Sequence, residues 1–167
     1  GQESLEEAQT AKYASMVDQM GVNAGDHVLE IGCGWGGFAE YAAKDRGLSV
    51  TCLTISKEQI KYAQDRINAA GLQDLVTLKL QDYRDETGVY DGIASIEMFE
   101  AVGEKYWPSY FQTVHDRLKP GGQATLQIIT VRDDRFEIYR KSVDFIQKYI
   151  FPGGMLPSPL VLSKQAQ

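Results

Sequence analysis

The sequence predicts an α/β domain, a parallel sheet with helices on both faces, and three observations predict it. Short apolar, β-branched segments alternate with segments of helical spacing. A glycine-rich turn sits where the first strand gives way to a helix. The 167 residues, 43% of them hydrophobic, suit one core and not two. Alternation in such short segments implies right-handed crossovers, and ligands of such sheets bind beyond the carboxyl ends of the strands. The residues just after each strand are therefore the ones that matter.

In order along the chain, "SLEEAQTAKYASMVDQMG" predicts the first helix. Ser4 and Glu7 stand at capping-box spacing, Leu5, Ala8, Met16, Val17 and Met20 fall roughly on one face, and Gly21 ends it. "HVLEIG" is a short apolar run stopped by glycine, hence a strand, and "GGFAEYAAKDRG" resumes helical spacing before Gly47. "LSVTCLTIS" is rich in β-branched residues and reads as the second strand; Ser56 then starts a helix through "EQIKYAQDRINAAG". "LVTLKLQD" gives a third strand and "YDGIASI" a fourth. "YWPSYFQTVHDRL" makes a helix ended by "KPGG", "QATLQIITV" a fifth strand, and "FEIYRKSVDFIQKYIF" a last helix broken by "PGGMLPSP". No repeat or low-complexity linker interrupts this pattern, so residues 1–167 read as a single domain.

A formal charge of −6 and a pI near 4.9 argue against a basic face for nucleic acid. No run of about 18 apolar residues exists to span a bilayer. No signal peptide is visible, and the abrupt opening at Gly1 suggests that an upstream segment is missing. Cys33 and Cys52, in or beside apolar strands, read as reduced, buried thiols of a cytoplasmic protein. His27 and His115 have no partners at metal spacing, so no metal is expected.

"EIGCGWGG" follows the first strand and opens a helix, with Gly32, Gly34 and Gly37 at G-x-G-x-x-G spacing. Such a loop lets backbone approach a ligand at a helix N-terminus; the bland alternative is a tight turn without one. A nicotinamide cofactor calls for an acid at the tip of strand two, but that strand ends in "LTIS". Gln59 is the nearest group for a ribose, or else the partner of Ser56 in a capping box. Asp82, after strand three, is placed to accept from an exocyclic amine such as adenine's, with Tyr83 beside it; it could instead cap the following turn. The missing ribose acid and the acid after strand three tilt the reading toward S-adenosylmethionine. After strand four, "SIEMFEAVG" sets Glu97 and Glu100 among apolar residues, where a carboxylate needs a partner.

"VLEIGCGWGGFAEYAA", "LTISKEQ", "QDYRD", "MFEAVGEKYWPSYF", "LKPGG" and "YIFPGGMLPS" together resemble the cyclopropane-fatty-acyl-phospholipid synthases, class I S-adenosylmethionine-dependent methyltransferases related to the mycolic acid cyclopropane synthases. The similarity runs from about Leu5 to Ser158. It implies a Rossmann-like methyltransferase core, cut short before the antiparallel edge strands and lacking an N-terminal segment. By this resemblance Gly32 and Gly34 lie against the methionine part of the cofactor, and Thr54, Ile55 and Gln59 flank the adenosine. Asp82 and Tyr83 border the adenine, and Ile96 packs beneath the ligand. Glu100 matches a glutamate that helps hold bicarbonate, a second expected ligand. The implied reaction converts the double bond of an unsaturated phospholipid acyl chain into a cyclopropane ring. That points to a cytoplasmic protein, peripheral at the inner membrane face and compatible with a homodimer.

Two departures stand out. Many family members carry "FEH" after strand four, where this chain has Ala101, and a histidine in strand five, where it has Gln127. Glutamine can donate one hydrogen bond to an anion but cannot titrate near neutral pH. A cysteine upstream and a tyrosine downstream in the family have no counterpart in this text. A non-cyclising methyltransferase of acyl chains or small molecules, or a cofactor-binding module without activity, are the rival readings. Tyr106, Trp107, Tyr110 and Phe111 suit an acyl channel or plain core packing, and Arg140 and Lys141 suit lipid head groups or a solvated face.

Overall fold

The computed structural model describes residues 4–141 and 154–165. The chain alternates as expected: α1 (Leu5–Met20), β1 (His27–Ile31), α2 (Gly37–Arg46), β2 (Ser49–Thr54), α3 (Lys57–Ala69), β3 (Val76–Leu80), β4 (Tyr90–Ile96), α4 (Trp107–Arg117), β5 (Leu118–Gln127), α5 (Asp133–Lys141) and α6 (Pro159–Gln165). The strands form one sheet in the order β3-β2-β1-β4-β5, with β1 parallel to both β2 and β4 and β2 parallel to β3. The chain walks outward from β1 to β3 and then returns to the other side of β1. The order therefore reverses between β1 and β4, where a ligand crevice is expected in such sheets.

Local signals explain most of these boundaries. Ser4 and Glu7 form the reciprocal capping box of α1, and Gly21 closes that helix in the left-handed region. Ser56 accepts from the Gln59 N–H to start α3. Only the C-terminal half of the apolar face of α1 is used: Met16, Val17 and Met20 are buried, while Leu5 and Ala8 are exposed.

Three boundaries differ from expectation. The fifth strand starts at Leu118 and ends at Gln127, because "KPGG" joins the ladder rather than a free turn. Gly122 fits there for want of a side chain, since a Cβ would lie 2.9 Å from the Asp91 carbonyl oxygen. Past Gln127 the Ile129 N–H is given to the Glu100 side chain, and the strand stops. The helix expected from residue 136 begins already at Asp133, and its continuation over 142–151 lies outside the described residues. The short α6 was not expected, although Ser158 before Pro159 is a cap followed by proline at the first helical position.

The described residues fall into two compact units. The first comprises residues up to Ser95 together with Asp116–Leu126. Its core is the apolar sheet interior, with Val28, Leu29, Ile31, Leu53 and Ile93 at most 1% exposed. The second comprises Ile96–His115 and the residues from Gln127 onward. An aromatic cluster holds it together: Phe99 stacks on Trp107 at 5.3 Å and meets Tyr110 edge-on at 5.0 Å, and Trp107 reaches Phe136 at 6.4 Å. The Trp107 indole N–H donates to the Val102 carbonyl at 3.1 Å.

Candidate active site

In the first unit, the predicted binding residues stand at the carboxyl ends of three adjacent strands, tied by backbone hydrogen bonds. The Leu53 carbonyl at the end of β2 accepts from both Gly32 and Cys33, each at 2.9 Å, and the Thr54 carbonyl accepts from Gln81 beyond β3 at 2.9 Å. This brings Gly32, Gly34, Thr54, Ile55, Gln59, Asp82 and Tyr83 to one edge of the sheet.

The glycines divide their labour. Gly32 and Gly34 have φ of 78° and 50°, and a Cβ on Gly34 would meet nothing within 4 Å. Gly36 and Gly37 instead serve packing. A Cβ on Gly36 would lie 3.1 Å from the Ala63 Cβ, and one on Gly37 would lie 2.7 Å from the Tyr13 hydroxyl. The open side of the loop is thus Gly34, followed by an α2 start that no side chain caps. Its first N–H groups point at whatever lies there.

Gln59 is not the reciprocal half of a capping box. Its Oε1 accepts from the Thr54 hydroxyl at 2.9 Å, and the same hydroxyl accepts from the Ser56 N–H at 3.1 Å. Because the carboxamide oxygen is held by Thr54, the amide nitrogen is turned away to donate elsewhere. Ile55, beside it, is 78% exposed and leaves apolar surface at the strand tip available to a ligand. Asp82 caps the turn Tyr83–Asp85 through the Arg84 N–H at 2.9 Å and pairs with the Arg84 guanidinium at 2.7 Å, which lowers its pKa. Its Oδ2 still has a lone pair for an amine. Burial raises the pKa of the neighbouring Tyr83.

Glu30 escaped the sequence reading, although an acid inside "HVLEIG" was visible. It is 2% exposed in β1 and accepts from the Cys52 thiol at 3.7 Å. Burial first, and the nearby Cys33 second, push its carboxyl well above the usual range. Cys33 and Cys52 are free and buried, as expected.

In the second unit, Glu100 is 2% exposed on the turn Phe99–Ala101. Its Oε1 accepts from the Ile129 N–H, and its Oε2 is buried without a partner. Gln127, half-buried at the end of β5, donates through Nε2 to Glu97 Oε1 at 3.2 Å, while its Oε1 is buried and unpartnered. Glu97 is exposed, as anticipated, and its backbone N–H donates to the Gln127 carbonyl at 2.9 Å. Ile96, at the end of β4, is half-buried. Trp107 and Tyr110 are fully buried in the aromatic cluster, which is core packing, whereas Tyr106 is 42% exposed under Lys105. Arg140 is tied to Glu104 at 2.8 Å. Among the described residues no helix is long and apolar enough to cross a membrane, and no group of His, Cys, Asp or Glu could hold a metal ion.

Comparisons with known proteins bear on this arrangement. The family model described as mycolic acid cyclopropane synthetase matches residues 1–167. A tuberculostearic acid methyltransferase of Mycobacterium tuberculosis is 46% identical over 154 residues, covering 92% of this chain and 36% of that protein. The cyclopropane-fatty-acyl-phospholipid synthase of Escherichia coli K12 is 42% identical over 166 residues, covering 99% of this chain and 41% of that protein. The chain therefore spans about two fifths of the length of these curated relatives. The crystal structure of the mycolic acid cyclopropane synthase CmaA1 with S-adenosylhomocysteine and CTAB superposes with a TM-score of 0.86 at 28% identity, covering 98% of this chain and 60% of that one.

Proposed function

Because the chain belongs to the mycolic acid cyclopropane synthetase family, a class of S-adenosylmethionine-dependent methyltransferases, we propose that it carries the catalytic core of an enzyme that alkylates the double bond of an unsaturated phospholipid acyl chain and closes a cyclopropane ring. The observation that carries this reading is the strand-tip cradle of the first unit. There Gly34 opens onto free space and Thr54 holds the Gln59 carboxamide oxygen, beside an uncovered Ile55. The donor set suits a nucleoside linked to an amino acid. Gly32 and Gly34 would take the methionine part, Gln59 the ribose, Thr54 and Ile55 the adenosine flank, and Asp82 with Tyr83 the adenine edge. Bound S-adenosylmethionine would supply an electrophilic methyl group on a sulfonium.

The chain's own contribution is orientation and electrostatics. An electron-rich double bond that took this methyl, with the carbon–sulfur bond broken and S-adenosylhomocysteine released, would become a carbocation, and a fixed negative group in a water-poor setting stabilises such a charge strongly. Glu100, buried with one oxygen unpartnered, is the residue we assign to that role. Ring closure would then require a base to take a proton from the added methyl carbon while that C–H electron pair forms the second carbon–carbon bond. The substrate would be met at a membrane surface, the enzyme being cytoplasmic and peripheral at the inner face, with a homodimer compatible with the reading.

A second reading, methyl transfer without ring closure, is favoured by a specific observation. Ala101 and Gln127 leave this turn without the titratable groups that the resemblance led us to expect. Calorimetry with S-adenosylhomocysteine against NAD tests the cradle, and NAD binding alone would sink it. Mass spectrometry of lipids from cells expressing the protein that carries this chain tests the reaction. A gain of one CH₂ reports transfer, NMR separates ring from branch, and cofactor binding with no lipid product would favour a module without activity.

A further inference from the structure

The polar groups at the tip of β2 interlock with the first turn of α3. The Thr54 hydroxyl donates to Gln59 Oε1 at 2.9 Å and accepts from the Ser56 N–H at 3.1 Å. The Ser56 hydroxyl in turn accepts from the Gln59 N–H at 3.2 Å and donates to Glu58 Oε2 at 3.0 Å. A threonine hydroxyl has one proton, and here that proton goes to Gln59. Thr54 is 6% exposed, so reversing the amide would leave a buried O–H to find another acceptor, and a buried donor without one is costly. The hydroxyl therefore selects which end of the carboxamide it holds. Both amide hydrogens and a second lone pair on Oε1 stay available to a ligand.

Gln59 is half-buried on a helix start, and its long side chain has several bonds to rotate about. Ordering such a side chain when a ligand arrives weakens binding about two- to tenfold, and a neighbour that orders it beforehand removes that loss. Thr54 is such a neighbour. Its donor is already committed to Gln59, which suits it to act through that residue.

We propose that Thr54 is a positioning residue for the cofactor: its hydroxyl holds the Gln59 carboxamide ready for the ribose, and it contributes through Gln59 rather than through a polar contact of its own. The inference rests on the reading of this cradle as an S-adenosylmethionine site. Its test is calorimetry with S-adenosylhomocysteine on the protein that carries this chain, with urea unfolding to show that each variant is folded. Thr54→Val keeps the shape and loses the hydroxyl, and should bind about three- to tenfold more weakly. Thr54→Ser keeps the hydroxyl and should stay within about twofold of the wild type. In a Gln59→Ala background, Thr54→Val should cost less than about twofold more, because no carboxamide is left to hold. A dideoxy analogue lacking both ribose hydroxyls should be weakened by Thr54→Val no more than about twofold, which a threonine that only supported the fold would not explain. Undiminished affinity in Thr54→Val would overturn the proposal, as would equal losses in the two backgrounds or no rescue by serine. Where valine is not tolerated, NMR relaxation of the Gln59 side-chain amide in the unliganded wild type decides: an ordered amide supports the proposal and a freely rotating one overturns it. Failure of the cofactor reading would look different, since the wild type itself would then not bind S-adenosylhomocysteine.

Discussion

Replacing Gly34 by alanine separates a cofactor cradle from a plain strand-to-helix turn. At φ 50° the new Cβ incurs the left-handed penalty of about 1–2 kcal/mol, and with no heavy atom within 4 Å, packing adds nothing further. The space that the Cβ enters is the space assigned to the methionine part of the ligand. We therefore expect S-adenosylhomocysteine affinity to fall at least about tenfold, or 1.4 kcal/mol. Gly36→Ala is the contrast. At φ 85° it carries the same backbone penalty, and its Cβ would also sit 3.1 Å from the Ala63 Cβ and 3.4 Å from the Ala63 Cα. Neither contact can swing away as a long side chain would, so overpacking adds about 1–3 kcal/mol. Urea unfolding should thus rank Gly36→Ala as the less stable variant, while calorimetry on folded protein ranks Gly34→Ala as the weaker binder. If Gly34→Ala binds as tightly as the wild type, the loop is a turn and nothing more.

Gln59→Ala removes the acceptor of the Thr54 hydroxyl and the outward amide but leaves the backbone cap of α3 by Ser56 intact. Affinity for S-adenosylhomocysteine should drop about five- to tenfold, the worth of one neutral hydrogen bond, with little change in unfolding. Unchanged affinity would return Gln59 to a structural role. Glu86 sits 6% exposed beside β4, where burial alone would raise its pKa. Hydrogen bonds from the Gly88 N–H at 2.8 Å, Lys79 at 3.0 Å and Tyr90 at 3.0 Å outweigh that and bring it down to about 2. A depressed carboxylate pKa stabilises the fold above the unfolded value and is lost as pH falls through the folded one, so about 3 kcal/mol should disappear between roughly pH 5 and 2. Urea unfolding of wild type and Glu86→Gln across that range should show their stability difference closing, and a difference independent of pH would refute the assignment.

Much of the fold was legible because the decisive signals are local. A serine three residues before a glutamate and a serine at the mouth of α3 each satisfy backbone groups within one turn, so sequence neighbours suffice to place them, and the apolar run stopped by glycine marks β1 by its composition. The misses involve distant partners. "KPGG" is a turn by composition, yet it lies within β5, where Gly122 leaves room beside the distant Asp91 carbonyl. Leu5 and Ala8 belong to the apolar face of α1 by spacing yet stay exposed, since periodicity reports which face is apolar and not how far along the helix anything covers it.

The candidate site divides the same way. Glycines and strand-tip residues in the first unit were readable because their role follows from backbone freedom and from position on the sheet. The second unit was not, because its chemistry depends on orientation rather than identity. Gln127 reads equally well as a donor or an acceptor until its neighbour is known, and Glu97 read as a residue facing water or a backbone amide. Glu97, with its left-handed backbone, sets a carboxylate oxygen 3.2 Å from the Gln127 amide nitrogen, which fixes which end of the amide is which, and no pattern in the sequence reports that contact.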